Sequence, residues 1–153
     1  MADIVFKNKD KLFFVDKYYK PKLPLNLTKY LLKFANSSID ISDGLIDDLS
    51  KMINRQSLSF HLFENKIPVS NKLSNFIKKQ RLNKINLISN GDDYQVLFTA
   101  DIKKARIIQK ASKTTGIKIT KIGKIVSGKD RSLIFDEKGK QIRAKSKGYI
   151  HRF

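Results

Sequence analysis

Across the turn Ser42-Asp43-Gly44 the hydrophobic period changes, and that change restricts the chain more than any other feature. Before the turn, Ser38-Ile39-Asp40-Ile41 alternates as a short strand does; after it, Leu45, Ile46, Leu49, Met52 and Ile53 mark one face of a helix. Ser42 or Asp43 is the expected N-cap, and Gly44 allows close approach of the backbone. Any fold of this chain therefore contains a strand–turn–helix corner at residues 38–53.

The rest of the chain follows the same interleaving. Residues 9–20 have helical spacing (Leu12, Phe13, Val15, Tyr19) that Pro21 stops, and a second helix is expected over 25–35, ended by Asn36-Ser37-Ser38. Strands are expected at 57–63, 94–99 and 117–122, helices at 71–80 and 101–115, and a hairpin at 132–142 around Asp136-Glu137-Lys138-Gly139. The fold class expected is α+β (mixed α/β), with a mixed β-sheet flanked by helices. Residues 1–24 read as an N-terminal helix and linker of the same domain as residues 25–153.

Charge narrows the function. The net charge is +18, but 26 of the 32 basic residues are lysine and only 6 are arginine. Arginine is the residue suited to bidentate phosphate and base recognition, and the lysines are scattered from Lys7 to Lys147. A solvated lysine surface is thus preferred to a nucleic-acid face. No cysteine is present, which removes disulfides, thiolate metal sites and cysteine nucleophiles together. No apolar run approaches the ~18–20 residues of a membrane span, and Met-Ala-Asp-Ile-Val-Phe-Lys is not a signal sequence. A cytoplasmic location is expected.

Against this basic background, six of the fourteen acidic residues fall in two clusters: Asp40, Asp43, Asp47 and Asp48, then Asp92 and Asp93. Crowded carboxylates repel one another and persist most easily around a cation. With Asp40 at a strand end and Ser42-Asp43 at a helix start, carboxylates face one cleft, while the Ser42 hydroxyl and the first helical N–H groups can hold phosphate oxygens. Mg²⁺ prefers such a mixture of few carboxylates, phosphate and water. The plainer reading is a capped helix with Asp40 merely exposed. Asp47 and Asp48 read as a solvated face, and Gly91-Asp92-Asp93-Tyr94 as a turn or a cation-facing strand mouth. Tyr149 and Phe153 either stack on a flat ring or dock on the core. His61 and His151 lack spaced partners, and no P-loop, dinucleotide-binding glycine pattern or nucleophile elbow occurs.

Taken in order, Tyr18-Tyr19-Lys20-Pro21, Ser37-Ser38-Ile39-Asp40-Ile41-Ser42-Asp43-Gly44-Leu45 with Asp48-Leu49, Gly91-Asp92-Asp93-Tyr94 with Leu97-Phe98-Thr99, Ile122-Gly123-Lys124-Ile125 and Lys147-Gly148-Tyr149 resemble the C-terminal domain of bacterial thiamine-monophosphate kinase, of the aminoimidazole-ribonucleotide-synthetase-like superfamily. The resemblance implies transfer of the γ-phosphoryl group of ATP to thiamine monophosphate. It implies Asp40 and Asp43 as Mg²⁺ ligands, Ser42 as a nucleotide contact, and Asp92 and Tyr149 as thiamine-substrate contacts. It also implies a homodimer and an N-terminal domain that these residues do not include, so little kinase activity is expected of this chain alone. Two departures from the family pattern stand out: Asn90 replaces a usual glycine, and the tail after Tyr149 reads Ile150-His151-Arg152-Phe153 where Asp-His-Phe is usual. The competing readings are a non-enzymatic basic module for RNA or another polyanion, and a sister activity of the superfamily on a selenophosphate or purine-pathway substrate.

Overall fold

A computed structural model describes residues 8–53 and 56–145. Among these residues six α-helices and six strands interleave: α1 (Asn8–Tyr19), α2 (Thr28–Phe34), β1 (Ala35–Asp40), α3 (Leu45–Met52), β2 (Leu58–Phe63), α4 (Asn71–Gln80), α5 (Lys84–Leu87), β3 (Val96–Ala100), α6 (Ala105–Thr115), β4 (Gly123–Ser127), β5 (Leu133–Phe135) and β6 (Gln141–Ile142). The expected mixed α/β class is what the chain adopts. One sheet has the order β4-β2-β5-β6, with β2 parallel to β5 and antiparallel to β4. The other is an antiparallel ribbon of β1 and β3, in which Ile39 faces Leu97 and Asp40 faces Val96.

Local chemistry sets most boundaries. The Ser70 hydroxyl accepts the Leu73 N–H at 3.1 Å and starts α4, while Gly116, at φ 67°, closes α6 in the left-handed conformation. The turn from β5 to β6 is fastened by Asp136, whose Oδ1 accepts the N–H groups of Lys138 (2.9 Å) and Lys140 (2.8 Å). α1 lies on α4 through Phe14 and Phe76, and the Lys72 ammonium sits 4.5 Å from the Phe13 ring centroid.

The ribbon separates two apolar clusters. Leu97 points into the larger one, with Leu45, Ile46, Leu49, Phe60, Leu62, Ile85 and Ile134. Its neighbour Phe98 points the other way, into a cluster of Leu27, Phe34 and Ala111, with its ring 5.2 Å from that of Phe34. Alternation along a strand sends successive side chains to opposite faces, so the ribbon is covered on both sides. A two-stranded ribbon alone is marginal in water; this coverage is what holds it.

Two expectations are corrected. Residues 25–35 are not one helix: Leu25–Leu27 form a 3-10 turn, α2 follows, and the chain is already extended at Ala35. Pairing with β3 recruits the polar Asn36-Ser37-Ser38, and the Ser37 and Thr99 hydroxyls bond across the ribbon at 2.7 Å. Residues 117–122 alternate in sequence but are not a strand. Their apolar side chains are divided between the two clusters, Ile117 and Ile119 to the smaller and Ile122 to the larger, and β4 begins only at Gly123.

Candidate functional site

The corner between β1 and α3 is organised by Asp48. This residue is 1 % exposed, and its Oδ2 accepts three successive backbone N–H groups, from Ser42 (2.9 Å), Asp43 (3.0 Å) and Gly44 (3.1 Å). The expectation that Asp48 lies on a solvated face is therefore wrong. So is the expectation of a Ser42 or Asp43 cap: the N-cap is Gly44, with φ 126°, and no side chain caps from that position. Asp48 reaches back from the first turn and satisfies the amides of the three residues that lead into the helix, not those of the first helical turn itself. Asp47, one position earlier, is half-exposed.

A second loop closes on this corner. Asp92 N–H donates to Ser42 O (2.9 Å), Tyr94 N–H donates to Ile41 O (2.8 Å), and Ile41 N–H donates to Gln95 O (2.9 Å). Glycine is required at both facing positions. A Cβ on Gly91 would stand 2.3 Å from Ser42 O, and one on Gly44 would stand 2.4 Å from Ser89 O. Gly91, Asp92 and Tyr94 all have positive φ, at 86°, 59° and 49°. The two acidic segments, separate in sequence, thus share one end of the β1–β3 ribbon.

Three carboxylates, those of Asp43, Asp47 and Asp48, bring oxygen atoms within 4.8 Å of one another. The Lys51 ammonium bonds Asp43, Asp47 at 2.7 Å and Asp48 Oδ1 at 3.4 Å. Those bonds, first to Asp43 and then to Asp47, hold the lysine charged well above its ordinary range. All-oxygen donors of this kind suit a hard cation such as Mg²⁺. Asp48 offers it only Oδ1, because Oδ2 is committed to the backbone. Asp40 is not a member of this trio; it ends β1, exposed, opposite Val96.

Ser42 is half-buried between the two loops, and Asp92 is exposed beside them with Oδ1 3.3 Å from the Tyr94 hydroxyl. The negative charge of Asp92, followed by that hydrogen bond, raises the pKa of Tyr94. A cavity of about 1430 Å³ opens next to the loop, walled in part by Asp92 and Asp93 and by Phe13, Phe14 and Tyr18 of α1. Solvent reaches Asp93, yet protein crowds its carboxylate and Asp92 repels it, in that order of importance, so its pKa is raised. A carboxyl with a raised folded-state pKa opposes folding most strongly above that value, and the opposition fades as pH falls from there to the unfolded-state pKa. Asp93→Asn is accordingly expected to melt higher than wild type at pH 7, with the advantage shrinking as pH is lowered toward the unfolded-state pKa. Thermal melts across that window check this; a constant difference at all pH values would contradict it.

Tyr149 lies outside the described residues. The sequence gives Asp48 the wrong role and leaves Lys51 without one, although their spacing of three on a helix was the available signal. It also missed Ser89, which is fully buried with its hydroxyl on Ile85 O at 2.6 Å, under the Gly44 corner. Among the described residues no helix is long and apolar enough to cross a membrane.

No protein-family profile matches the chain. It does match curated relatives. The thiamine-monophosphate kinase of Buchnera aphidicola (subsp. Schizaphis graminum) is 33% identical over 140 residues, which is 91% of this chain and 42% of the relative. That of Nitrosopumilus maritimus is 31% identical over 156 residues, 99% of this chain and 48% of the relative. A solved structure of AaThiL complexed with AMPPCP and TMP superposes with a TM-score of 0.71 at 26% identity, covering 98% of this chain and 44% of that one. The chain spans less than half the length of these proteins.

Proposed function

We infer that this chain, which resembles the C-terminal domain of thiamine-monophosphate kinases, forms one side of a site that transfers a phosphoryl group from ATP to thiamine monophosphate. The observation that supports this most is the hydrogen-bonded closure of residues 41–44 on residues 91–95, which brings both acidic segments to one end of the ribbon, where Asp92 and Asp93 line a cavity. Phosphoryl transfer depends on positioning and on neutralising charge, not on covalent chemistry by the protein.

On this reading Asp43, with Asp40 at the neighbouring strand end, faces Mg²⁺, and Ser42 faces the nucleotide. Asp92 faces the positively charged thiazolium ring, with Tyr149 as a further substrate contact. Bound Mg²⁺ supplies charge neutralisation at the phosphates. The chain's own contribution is to fix the donors. Asp48 pins the turn that carries Asp43, and the Asp92 backbone is tied to Ser42. The Ser42 side chain, in the turn whose backbone amides Asp48 holds, is the nucleotide contact assigned here. The remaining ligands belong to the more than half of the kinase length that the present residues do not match. A cytoplasmic, homodimeric enzyme is the corresponding assembly.

The test is a phosphoryl-transfer assay with ATP and thiamine monophosphate, run on the 153-residue chain alone and with the unmatched portion of a relative added. Transfer is expected only with the added portion, and Asp43→Asn and Asp92→Asn are each expected to abolish it. Robust transfer by the chain alone would contradict the division of ligands. Absence of transfer in both arms, with salt-sensitive RNA binding indifferent to Asp43→Asn, would favour a polyanion-binding module.

A further inference from the structure

Strand β3 and the extended segment 117–122 line one cavity and share one pattern. Among the described residues β3 pairs with β1 alone, so its other edge has no strand neighbour. Among the same residues the backbone groups of Lys118, Ile119, Thr120 and Lys121 form no hydrogen bond. All of β3 and all of 117–122 wall the cavity of about 1430 Å³. The buried Thr120 hydroxyl has no partner either. Backbone donors and acceptors of folded proteins are rarely left unpaired. The side chains show how the two segments are related. Leu97 enters the larger apolar cluster and Phe98 the smaller; Ile122 enters the larger, Ile117 and Ile119 the smaller. Odd and even positions of both segments thus divide between the same two clusters, as they do in one sheet covered on both faces.

We propose that the cavity receives one extended segment of a partner polypeptide, which pairs with β3 on one side and with residues 118–121 on the other. One sheet then runs across both. The choice of partner rests on the function inferred above: the segment comes from the kinase length that this chain does not match, more than half of each relative. The cavity exceeds the ~300–1,000 Å³ of small-molecule pockets, and open main-chain edges on two walls suit another main chain. Recognition is chiefly backbone to backbone, with apolar side chains of the added strand alternating into the two clusters. Lys118 and Lys121 are exposed along the segment, so carboxylates opposite them complete the match. The added strand also stiffens the ribbon that carries both acidic loops, which ties arrival of the partner to the geometry of the site.

Amide hydrogen exchange on the 153-residue chain decides it, read by mass spectrometry. The probes are synthetic peptides of about 12 residues, long enough for a strand of about 5–6, that tile the unmatched length of the Buchnera aphidicola relative. In the chain alone the amides of 118–121 are expected to exchange fast. One peptide is expected to slow them, and the β3 amides that point away from β1, by about tenfold or more. N-methylation of that peptide at alternate residues keeps every side chain but removes paired donors, and it is expected to abolish the protection. Slow exchange at 118–121 in the chain alone would overturn the proposal, because the chain then fills the cavity itself; sedimentation tells a second copy from its own residues. Equal protection by the N-methylated peptide would overturn it too, since apolar filling without strand pairing would suffice. Protection by none of the peptides would do the same. Phosphoryl transfer judges the kinase reading separately. Transfer restored by the unmatched portion, with 118–121 still exchanging fast, removes the strand and leaves the kinase; protection without transfer does the reverse.

Discussion

Replacing Asp48 by alanine is expected to destabilise the protein by about 3–5 kcal/mol, far more than the same change at its neighbour. The buried carboxylate accepts three backbone N–H groups, and truncation leaves all three without a partner. A buried donor left unpaired costs about 1–3 kcal/mol, and removing one side of a buried charged interaction costs about 3–5 kcal/mol. Total stabilities of domains are of order 5–15 kcal/mol, so this single change takes a large share. Asp47→Ala removes only a half-exposed partner of Lys51, and about 0–1 kcal/mol is expected. Urea denaturation of the two variants compares them directly. Similar midpoints would mean that the Asp48 bonds do not organise the turn. Asp48→Asn keeps the volume and one carbonyl acceptor but loses the charge, and should fall between the two.

The second large effect is steric. Gly91→Ala puts a methyl group 2.3 Å from Ser42 O and 2.9 Å from the Asp43 carbonyl carbon, at a φ of 86°. Both obstacles are backbone, so no side chain can swing aside. Strained backbone and overpacking each cost about 1–3 kcal/mol, and together about 3 kcal/mol or more is expected. Gly116→Ala is the internal control. It shares the positive φ, at 67°, but a Cβ there meets nothing within 4 Å, and the left-handed conformation alone costs alanine about 1–2 kcal/mol. The difference between the two variants measures how tightly the loops are pressed together. Equal losses of stability would show that the 41–44 and 91–95 segments are not in register as described. Where Gly91→Ala still folds, it should also weaken ligand binding, because the methyl group forces Asp92 away from Ser42.

These two residues also mark the limit of what the sequence made legible. Features governed by near neighbours were readable. Pro21 beyond α1 and the Asp136–Gly139 turn each act within a few positions, and each lies where the pattern put it. The corner at 38–53 was readable as strand, turn and helix because its period changes sharply. Its chemistry was not. Asp47 and Asp48 are adjacent and chemically identical, and only the closure of the turn decides which of them is buried. Likewise Asn90-Gly91 signals a turn, but nothing local says that the turn meets Ser42, some fifty residues earlier, backbone to backbone. The misread segment at 117–122 failed for the same reason: its alternation is real, but its side chains serve two cores instead of one sheet face.

The double-sided ribbon has a mechanical consequence. β1 and β3 are gripped on one face by Leu97 and Ile39 against the larger core and on the other by Phe98 against Phe34. Both acidic loops leave from the same end of that clamped pair. They behave as the tip of a cantilever whose root is fixed, so distances between the tip carboxylates are set by the stiffness of the root. The small cluster of Leu27, Phe34 and Ala111 holds none of the acidic side chains, yet loosening it would blur the spacing of Asp43 and Asp92. Precision at the cavity mouth is in that sense a property of the whole lever.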